Sequence, residues 1–302
     1  MRAILFGASK AGENYASNHP DIEVVAFTDN DSAKHGTRFM GYPIIAPADI
    51  NTHDVDSIII TSQWVDQIYS QLTEEMGINE SNIIVPSKQS VKAALPFEDN
   101  ETLAFAQSVM RTLNRYFVSH NISACLDSGT LLGAVRNKGL IPWDDDIDLA
   151  VDKDNYERLQ ASLPELYKLL NTNYDVKWNI VIITVNNIDC CINLEFSNLS
   201  HTQLVPFDIS IQRRDSINGL SELLSSGGLF FAPATHFDSY EPIEFLGETF
   251  LAPFDAEGFL TFMYGHWQTP KKTTQITEYE NRRASMSAPR TGISVQKRTL
   301  CE

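Results

Sequence analysis

Between Leu126 and Val151 the chain reads LDSGTLLGAVRNKGLIPWDDDIDLAV, and the end of that run constrains the fold more than any other stretch. Four aspartates, Asp144, Asp145, Asp146 and Asp148, fall within five positions, and the last two alternate with Ile147 and Leu149. Residues at i and i+2 of a strand share a face, so Asp146 and Asp148 point together while Ile147 and Leu149 point into a core. Like charges ~7 Å apart repel by roughly 2 to 3 kcal/mol at an effective dielectric of 20, and by about 0.6 kcal/mol in water. Beside Ile141, Pro142 and Trp143 such a pair is partly buried and asks for a cation. An all-carboxylate donor set suits Mg²⁺ or Mn²⁺ rather than Zn²⁺. The alternative is an acidic, solvated loop that ends a strand.

The context favours the cation. Upstream, Ser128-Gly129-Thr130 follows a predicted strand and precedes a helix, where small residues let backbone N–H groups approach a phosphate. Arg136 and Lys138 lie between this turn and the aspartates and are suited to hold phosphate oxygens. A third carboxylate is expected from a neighbouring strand: Asp208, alone in the apolar run LVPFDIS, with Glu195 in INLEF as its rival. These are parts for metal-assisted phosphoryl transfer, with Asp146, Asp148 and Asp208 as the catalytic carboxylates.

These residues resemble the LicD and fukutin family of nucleotidyltransferase-fold phosphotransferases. DSGTLLGAVRNKGLIPWDDDIDLAV is similar to the family's hallmark segment, PFDIS to its later aspartate strand, and FMYGHWQTP to its C-terminal tyrosine-glycine-tryptophan-proline motif. The resemblance covers roughly residues 101 to 272. It implies a nucleotidyltransferase-like α+β fold with a mixed sheet. The implied activity is transfer of phosphocholine or an alditol phosphate from a CDP-activated donor to a hydroxyl of a cell-surface glycan, with CMP released. Asp146 and Asp148 match the metal-binding pair, Asp144 and Asp145 lie in the same motif, and Gly129 and Thr130 match the glycine turn. Asp208 departs from the pattern in being followed by Ile209-Ser210-Ile211 rather than by an early proline. Tyr264, Gly265, Trp267 and Pro270 either line the pocket or staple the last helix to the core. A nucleotidyltransferase that releases pyrophosphate uses the same carboxylates, and a nucleotide-sensing scaffold is the reading from outside enzymes.

Residues 1–87 alternate strand and helix signals: Arg2 to Gly7, a helix from Ala11, Glu23 to Asp29, Ser57 to Thr61, a helix from Val65 to Met76, and Ile83 to Val85. Such alternation predicts a parallel, doubly wound α/β sheet, Rossmann-like in class. Gly7, Ser9, Lys10 and Gly12 form its first strand-to-helix turn, and Asp29 ends the next strand, an approximation to the dinucleotide fingerprint with Ser9 where the second glycine belongs. A nucleotide or NAD is the ligand such a turn would take; a plain tight turn is the alternative. Residues 88–100 read as a linker and 101–270 as the second domain. There Asn100 is the expected N-cap of an amphipathic helix, followed by predicted strands at Ile122–Leu126, Ile147–Val151, Val176–Val185, Cys190–Phe196 and Leu204–Ile211.

With 23 basic and 39 acidic residues the net charge is −16, which repels nucleic acid. No apolar run is long enough for a membrane helix, no signal peptide is recognisable at the N-terminus, and four cysteines without metal-finger spacing suit a reducing, cytoplasmic setting. Residues 271–302 carry seven basic against three acidic residues and read as a tail or strap that orders on an anionic ligand, with Arg282 and Arg283 gripping phosphate. Oligomeric state is not encoded in these patterns.

Overall fold

A computed structural model describes residues 1–92, 95–272, 276–279 and 295–301. They divide into two compact units: one built on residues 1–92 with 271–272 and 276–279, the other on 95–270 with 295–301.

The first unit is a six-stranded sheet. Its elements are β1 (Arg2–Phe6), α1 (Lys10–Asn18), β2 (Glu23–Thr28), β3 (Arg38–Phe39), β4 (Tyr42–Ile45), β5 (Ser57–Ile60), α2 (Val65–Ser70) and β6 (Ile83–Ile84), in the order β3-β4-β2-β1-β5-β6. All neighbours are parallel except β3 with β4. The central strands β1 and β5 are buried on both faces beyond Arg2, which is why Ala3 to Phe6 and Ile58 to Ile60 read as unbroken apolar runs. Strand order reverses between β1 and β5, so the turn after β1 opens at a topological switch point. The helix expected over Val65–Met76 is α2 continued by a wider π turn at Gln71–Glu75. Residues Lys88–Val91 form a short helical turn held to α1, where Asn14 and Asn18 donate to the carbonyls of Val91, Ser90 and Lys92. The first part of the expected linker therefore belongs to this unit.

The second unit contains α3 (Asn100–Ser119), β7 (Cys125–Leu126), α4 (Ser128–Leu132), β8 (Asp146–Val151), α5 (Lys153–Asn173), β9 (Val176–Val185), β10 (Ile188–Asn198), β11 (Asp208–Ile217), β12 (Leu220–Leu223), β13 (Phe231–Pro233), β14 (Tyr240–Phe245), β15 (Glu248–Pro253), α6 (Ala256–Tyr264) and β16 (Val295–Cys301). Its mixed sheet runs β14-β15-β7-β8-β11-β10-β9-β16, with β12 and β13 branching from β11. The apolar stripes of α3 and α5 bury Val109, Leu113, Leu159, Leu163 and Leu166 in one core with Ile147, Leu149, Trp178, Ile192, Leu194 and Ile209 from the strands. Each strand thus commits one face to the helices and leaves alternate residues for the other face.

Three expectations differ. The N-cap of α3 is Asp99, not Asn100: its carboxylate accepts from the Thr102 amide and hydroxyl, bonds that hold it below the usual carboxylate range. Strand pairing begins only at Cys125, because the Ser123 amide donates to Asn155 Oδ1 instead of to a strand. Leu204 to Phe207 is not strand: Pro206 has no N–H, the Val205 amide donates to Thr102 Oγ1, and the Leu204 amide donates to Asn198 Oδ1.

Candidate active site

The aspartate run turns before it becomes strand. The Asp144 amide donates to the Ile141 carbonyl (3.0 Å) and the Asp145 amide to Asp144 Oδ1 (3.2 Å). This folds Asp144 and Asp145 back on the first residue of β8, and carboxylate oxygens of Asp144, Asp145 and Asp146 lie within 4.8 Å of one another. Asp148 is half-buried one rung further along and is not a member of that triplet. Ile147, Leu149 and Val151, at 0%, 3% and 0% exposure, take the core face as the alternation predicts.

Parallel pairing of β8 with β11 sets Asp208 directly opposite Asp146 and Ser210 opposite Asp148. On the next strand, β10, Leu194 faces Ile209 and Asn193 faces Ser210, whose hydroxyl donates to Asn193 Oδ1 (3.0 Å). Glu195 follows on the same face as Asn193. Burial pushes the Glu195 carboxyl up, repulsion from Asp208 adds to the rise, and the Lys297 ammonium opposes it. Asp146, Asp208 and Glu195 thus form a row across three neighbouring strands, so both carboxylates weighed for the third position stand in it.

The glycine turn is joined to this row by contacts that the sequence does not announce. The Asp127 amide donates to the Asp148 carbonyl, and the Asp148 amide donates to Thr130 Oγ1 (2.9 Å). The Asp127 carboxylate accepts from the Ser128 amide (2.7 Å) and from Arg214 Nε (2.8 Å). Side-chain exposure is 1% for Asp127 and 3% for Arg214, so the pair is fully buried, with the guanidinium carbon 4.3 Å from the Phe237 ring centroid. Ser128 is left in the left-handed region at φ +48°, unusual for a residue with a side chain. A Cβ on Gly129 would overlap the Asp144 carboxylate, so the absent side chain is what lets the turn and the aspartates meet. Ser128, Gly129 and Thr130 therefore share a site with Asp144 to Asp148.

α4 continues into a π turn, Gly133–Asn137, which carries Arg136. The guanidinium donates from Nη1 to the Trp267 carbonyl (3.2 Å) and from Nε to Asn137 Oδ1 (2.7 Å), and its carbon lies 5.9 Å from the Trp143 ring centroid. Burial lowers its affinity for a proton, while the fields of Tyr264 and Asp144 raise it. Lys138 is exposed at the left-handed residue that ends the π turn and has no contact with the aspartates among the described residues. Trp267 is buried, donates from Nε1 to Thr261 Oγ1 (3.1 Å) and staples α6 to the core. Its carbonyl is what meets Arg136.

In the first unit, Gly7 adopts φ +125°, and a Cβ there would lie 2.7 Å from the Thr61 carbonyl oxygen; one on Gly12 would overlap the Gly7 carbonyl. Both glycines serve close packing of the turn. The Asp29 carboxylate accepts from the Ala8 amide (3.1 Å) and from Lys34 Nζ (2.8 Å), a partner that spacing did not single out. Ser9 is the N-cap of α1 without a side-chain capping bond, and Lys10 is exposed and paired with Glu13 (3.1 Å). Arg282, Arg283 and Arg290 lie outside the described residues.

Known proteins bear on both parts. Residues 1–84 match the C2185-like N-terminal family, and residues 121–255 match the LicD/FKTN/FKRP nucleotidyltransferase domain. An uncharacterized protein of Rickettsia prowazekii (strain Madrid E) is 38% identical over 73 residues, covering 24% of this chain and 27% of that protein. The lipopolysaccharide cholinephosphotransferase LicD of Haemophilus influenzae (strain ATCC 51907 / DSM 11121 / KW20 / Rd) is 46% identical over 61 residues, 19% of this chain and 23% of that protein. The chain thus spans about a quarter of the length of the curated relatives it matches. Among solved structures, a UDP-D-quinovosamine 4-dehydrogenase from Vibrio fischeri is 20% identical, with a TM-score of 0.24 over 28% of this chain and 76% of that one. Residues 121–255, which hold the aspartate row, are thus a domain of the LicD family.

Proposed function

We propose that this protein is a metal-dependent phosphotransferase. In this reading it moves a phosphate-bearing group, phosphocholine or an alditol phosphate, from a CDP-activated donor to a hydroxyl of a cell-surface glycan and releases CMP. The observation that carries the reading is the register of β8 and β11, which sets Asp208 opposite Asp146 next to a glycine turn that abuts Asp144. The name of the Haemophilus influenzae relative, a lipopolysaccharide cholinephosphotransferase, points to the same chemistry.

The donor set fits a hard divalent cation, since every group of the Asp144, Asp145 and Asp146 triplet offers carboxylate oxygen. Mg²⁺ or Mn²⁺ there, with Asp148 and Asp208 adjoining, would neutralise the charge that develops on the donor's pyrophosphate. Arg136, held by the Trp267 carbonyl near the ring of Trp143, would fix phosphate oxygens, and the Ser128-Gly129-Thr130 turn, which abuts Asp144, would contribute close-approaching backbone. An acceptor hydroxyl attacks the donor's β-phosphorus, the new O–P bond forms as the pyrophosphate P–O bond breaks, and CMP leaves. The acceptor proton passes to a carboxylate of the row, where Asp208 and Glu195 both stand on the acceptor side of Asp146.

We read residues 101–270 as the nucleotidyltransferase-like domain and the first unit as Rossmann-like. A nucleotide or NAD in the first unit would lie at the switch point after β1, but the Asp29 carboxylate already closes that turn with Lys34, so a ribose there has to displace an ion pair.

The test is product analysis on the full chain with Mg²⁺. CDP-choline, CDP-glycerol and CDP-ribitol are each incubated with a lipopolysaccharide acceptor, and CMP release is expected from one of them. Pyrophosphate release from CTP with the matching phosphate would make the protein a nucleotidyltransferase instead.

A further inference from the structure

The sheet face that carries Asp146, Asp208 and Glu195 continues past β10, and the C-terminal strand supplies its far edge. Antiparallel pairing sets Lys297 of β16 opposite Ile183 of β9, Ile183 opposite Cys191 of β10, and Cys191 opposite Gln212 of β11. Residues opposite one another across a sheet share a face, and residues two apart on one strand do as well. Lys297 therefore projects to the same side as Asn193 and Glu195 on β10 and as Ser210 and Asp208 on β11. The same alternation brings Lys177 and Asn179 of β9 onto this face, with Asn179 opposite Glu195.

Arg298 fixes which way β16 faces. Its guanidinium makes a two-pronged contact with Asp189, 2.8 Å on one prong, and Asp189 also accepts from Gln160 of α5 (2.9 Å) and from Thr184. With Arg298 pinned on the helix side, Lys297 must take the carboxylate side. Its field reaches both Glu195 and Cys191.

The donor parts lie on the other side of Asp208: the glycine turn, the aspartate turn and Arg136 gather around β7 and β8. Strands are about 4.8 Å apart and residues on a strand about 3.3 Å apart, so Lys297, three strands across and four residues along from Asp208, stands about 20 Å from it. That is too far to hold the reacting phosphate and within the span of an oligosaccharide whose hydroxyl is at Asp208. Asn193 is buried, its Oδ1 accepting from Ser210 and Cys191, so what the face between offers is the half-buried Glu195 carboxylate and Asn179 amide, which suit hydroxyl-rich ligands, with the exposed Lys177 and Lys297 at its margins. In a chain of net charge −16, a negatively charged acceptor needs such local cations.

We infer that the part of this face formed by β10, β9 and β16 is the acceptor side of the site, and that Lys297 recognises a phosphate or carboxylate on a hydroxyl-rich acceptor. The inference rests on the phosphotransferase reading above and adds to it a residue outside the matched family domain.

The experiment titrates glucose 6-phosphate, glucuronate and glucose into the full-length protein, followed by ligand-observed NMR, for the wild type, Lys297→Gln and Lys297→Arg. CDP with Mg²⁺ is titrated in parallel as the donor-side probe. The wild type is expected to bind both anionic sugars more tightly than glucose. Lys297→Gln should weaken them about tenfold, to the level of glucose, while Lys297→Arg retains them and CDP binding is equal in all three. The inference is overturned if the wild type does not prefer the anionic sugars, if Lys297→Gln binds them as well as the wild type, as it would were the lysine only neutralising Glu195, or if CDP binding falls in parallel. Lys297-dependent sugar binding in a protein that ignores CDP would instead overturn the donor assignment alone.

Discussion

Asp208 stands directly across from Asp146 on a parallel neighbouring strand, in the same register that sets Ser210 opposite Asp148. Removing either charge removes an oxygen donor of the row without touching the core face of its strand. Asp146→Asn and Asp208→Asn should each lower CMP release at least about a hundredfold while the far-UV spectrum stays that of the wild type. Mg²⁺ at a hundred times its dissociation constant should stabilise the wild type by about 2.7 kcal/mol, and thermal denaturation should show that increment lost in Asp146→Asn. An unchanged Mg²⁺ response in that variant would remove Asp146 from the metal site.

The Asp127–Arg214 pair is the buried brace between the glycine turn and β11. Asp127→Asn leaves a guanidinium in the core without its counter-charge, which should cost about 3 to 5 kcal/mol in urea unfolding. Arg214→Met on that background should recover part of the loss, because the double variant buries no unpaired charge. Additive losses would mean the two side chains act separately.

The aspartate strand was legible because its information is local. DIDLAV carries its own period of two and α3 its own helical stripe, so each is legible as an element without its neighbours, although the cap of α3 falls one residue earlier than expected. Arg214 was not legible: it meets Asp127 from 87 residues away, and nothing in QRRDS distinguishes the buried arginine from the half-buried Arg213 beside it. The apolar run Leu204 to Phe207 misled because its backbone donors go to Thr102 and Asn198, partners that only the folded chain supplies. β16 was hidden for the opposite reason. VQKRTLC is a polar, exposed edge, and what makes it a strand is the neighbouring β9 rather than any pattern of its own.

Two glycines of the hallmark segment should respond differently to the same added methyl group. On Gly129 the Cβ would meet the Asp144 carboxylate, the movable end of a side chain, so Gly129→Ala should fold with a near-normal Tm and lose activity at least about tenfold as Asp144 is displaced. On Gly133 it would lie 2.5 Å from the Gly139 carbonyl oxygen, a backbone atom, so Gly133→Ala should lose about 1 to 3 kcal/mol of stability. Differential scanning calorimetry beside a CMP assay separates the two; equal Tm losses would contradict the assignment of Gly129 to the site.

The C-terminal strand should be held in a pH-dependent way. Arg298 above all, with Thr184 and Gln160, lowers the Asp189 carboxyl to about 2 from an ordinary value near 3.8, against the opposing effect of burial. A carboxyl whose folded pKa is depressed contributes its stabilisation fully above the unfolded value and loses it as the pH falls through the folded one. The contact should therefore be intact at neutral pH and weaken between pH 4 and pH 2. Half of the Arg298 side chain is exposed, which limits the effect to about 1 kcal/mol, or no more than about fivefold in opening. Hydrogen-exchange protection of the amides of residues 295–301, measured relative to β10, should step down over that interval in the wild type. Asp189→Asn should be less protected at pH 7 and show no step. A step that persists in Asp189→Asn would assign the acid response to another carboxylate and leave Arg298 without a role in holding Lys297 at the edge of the site.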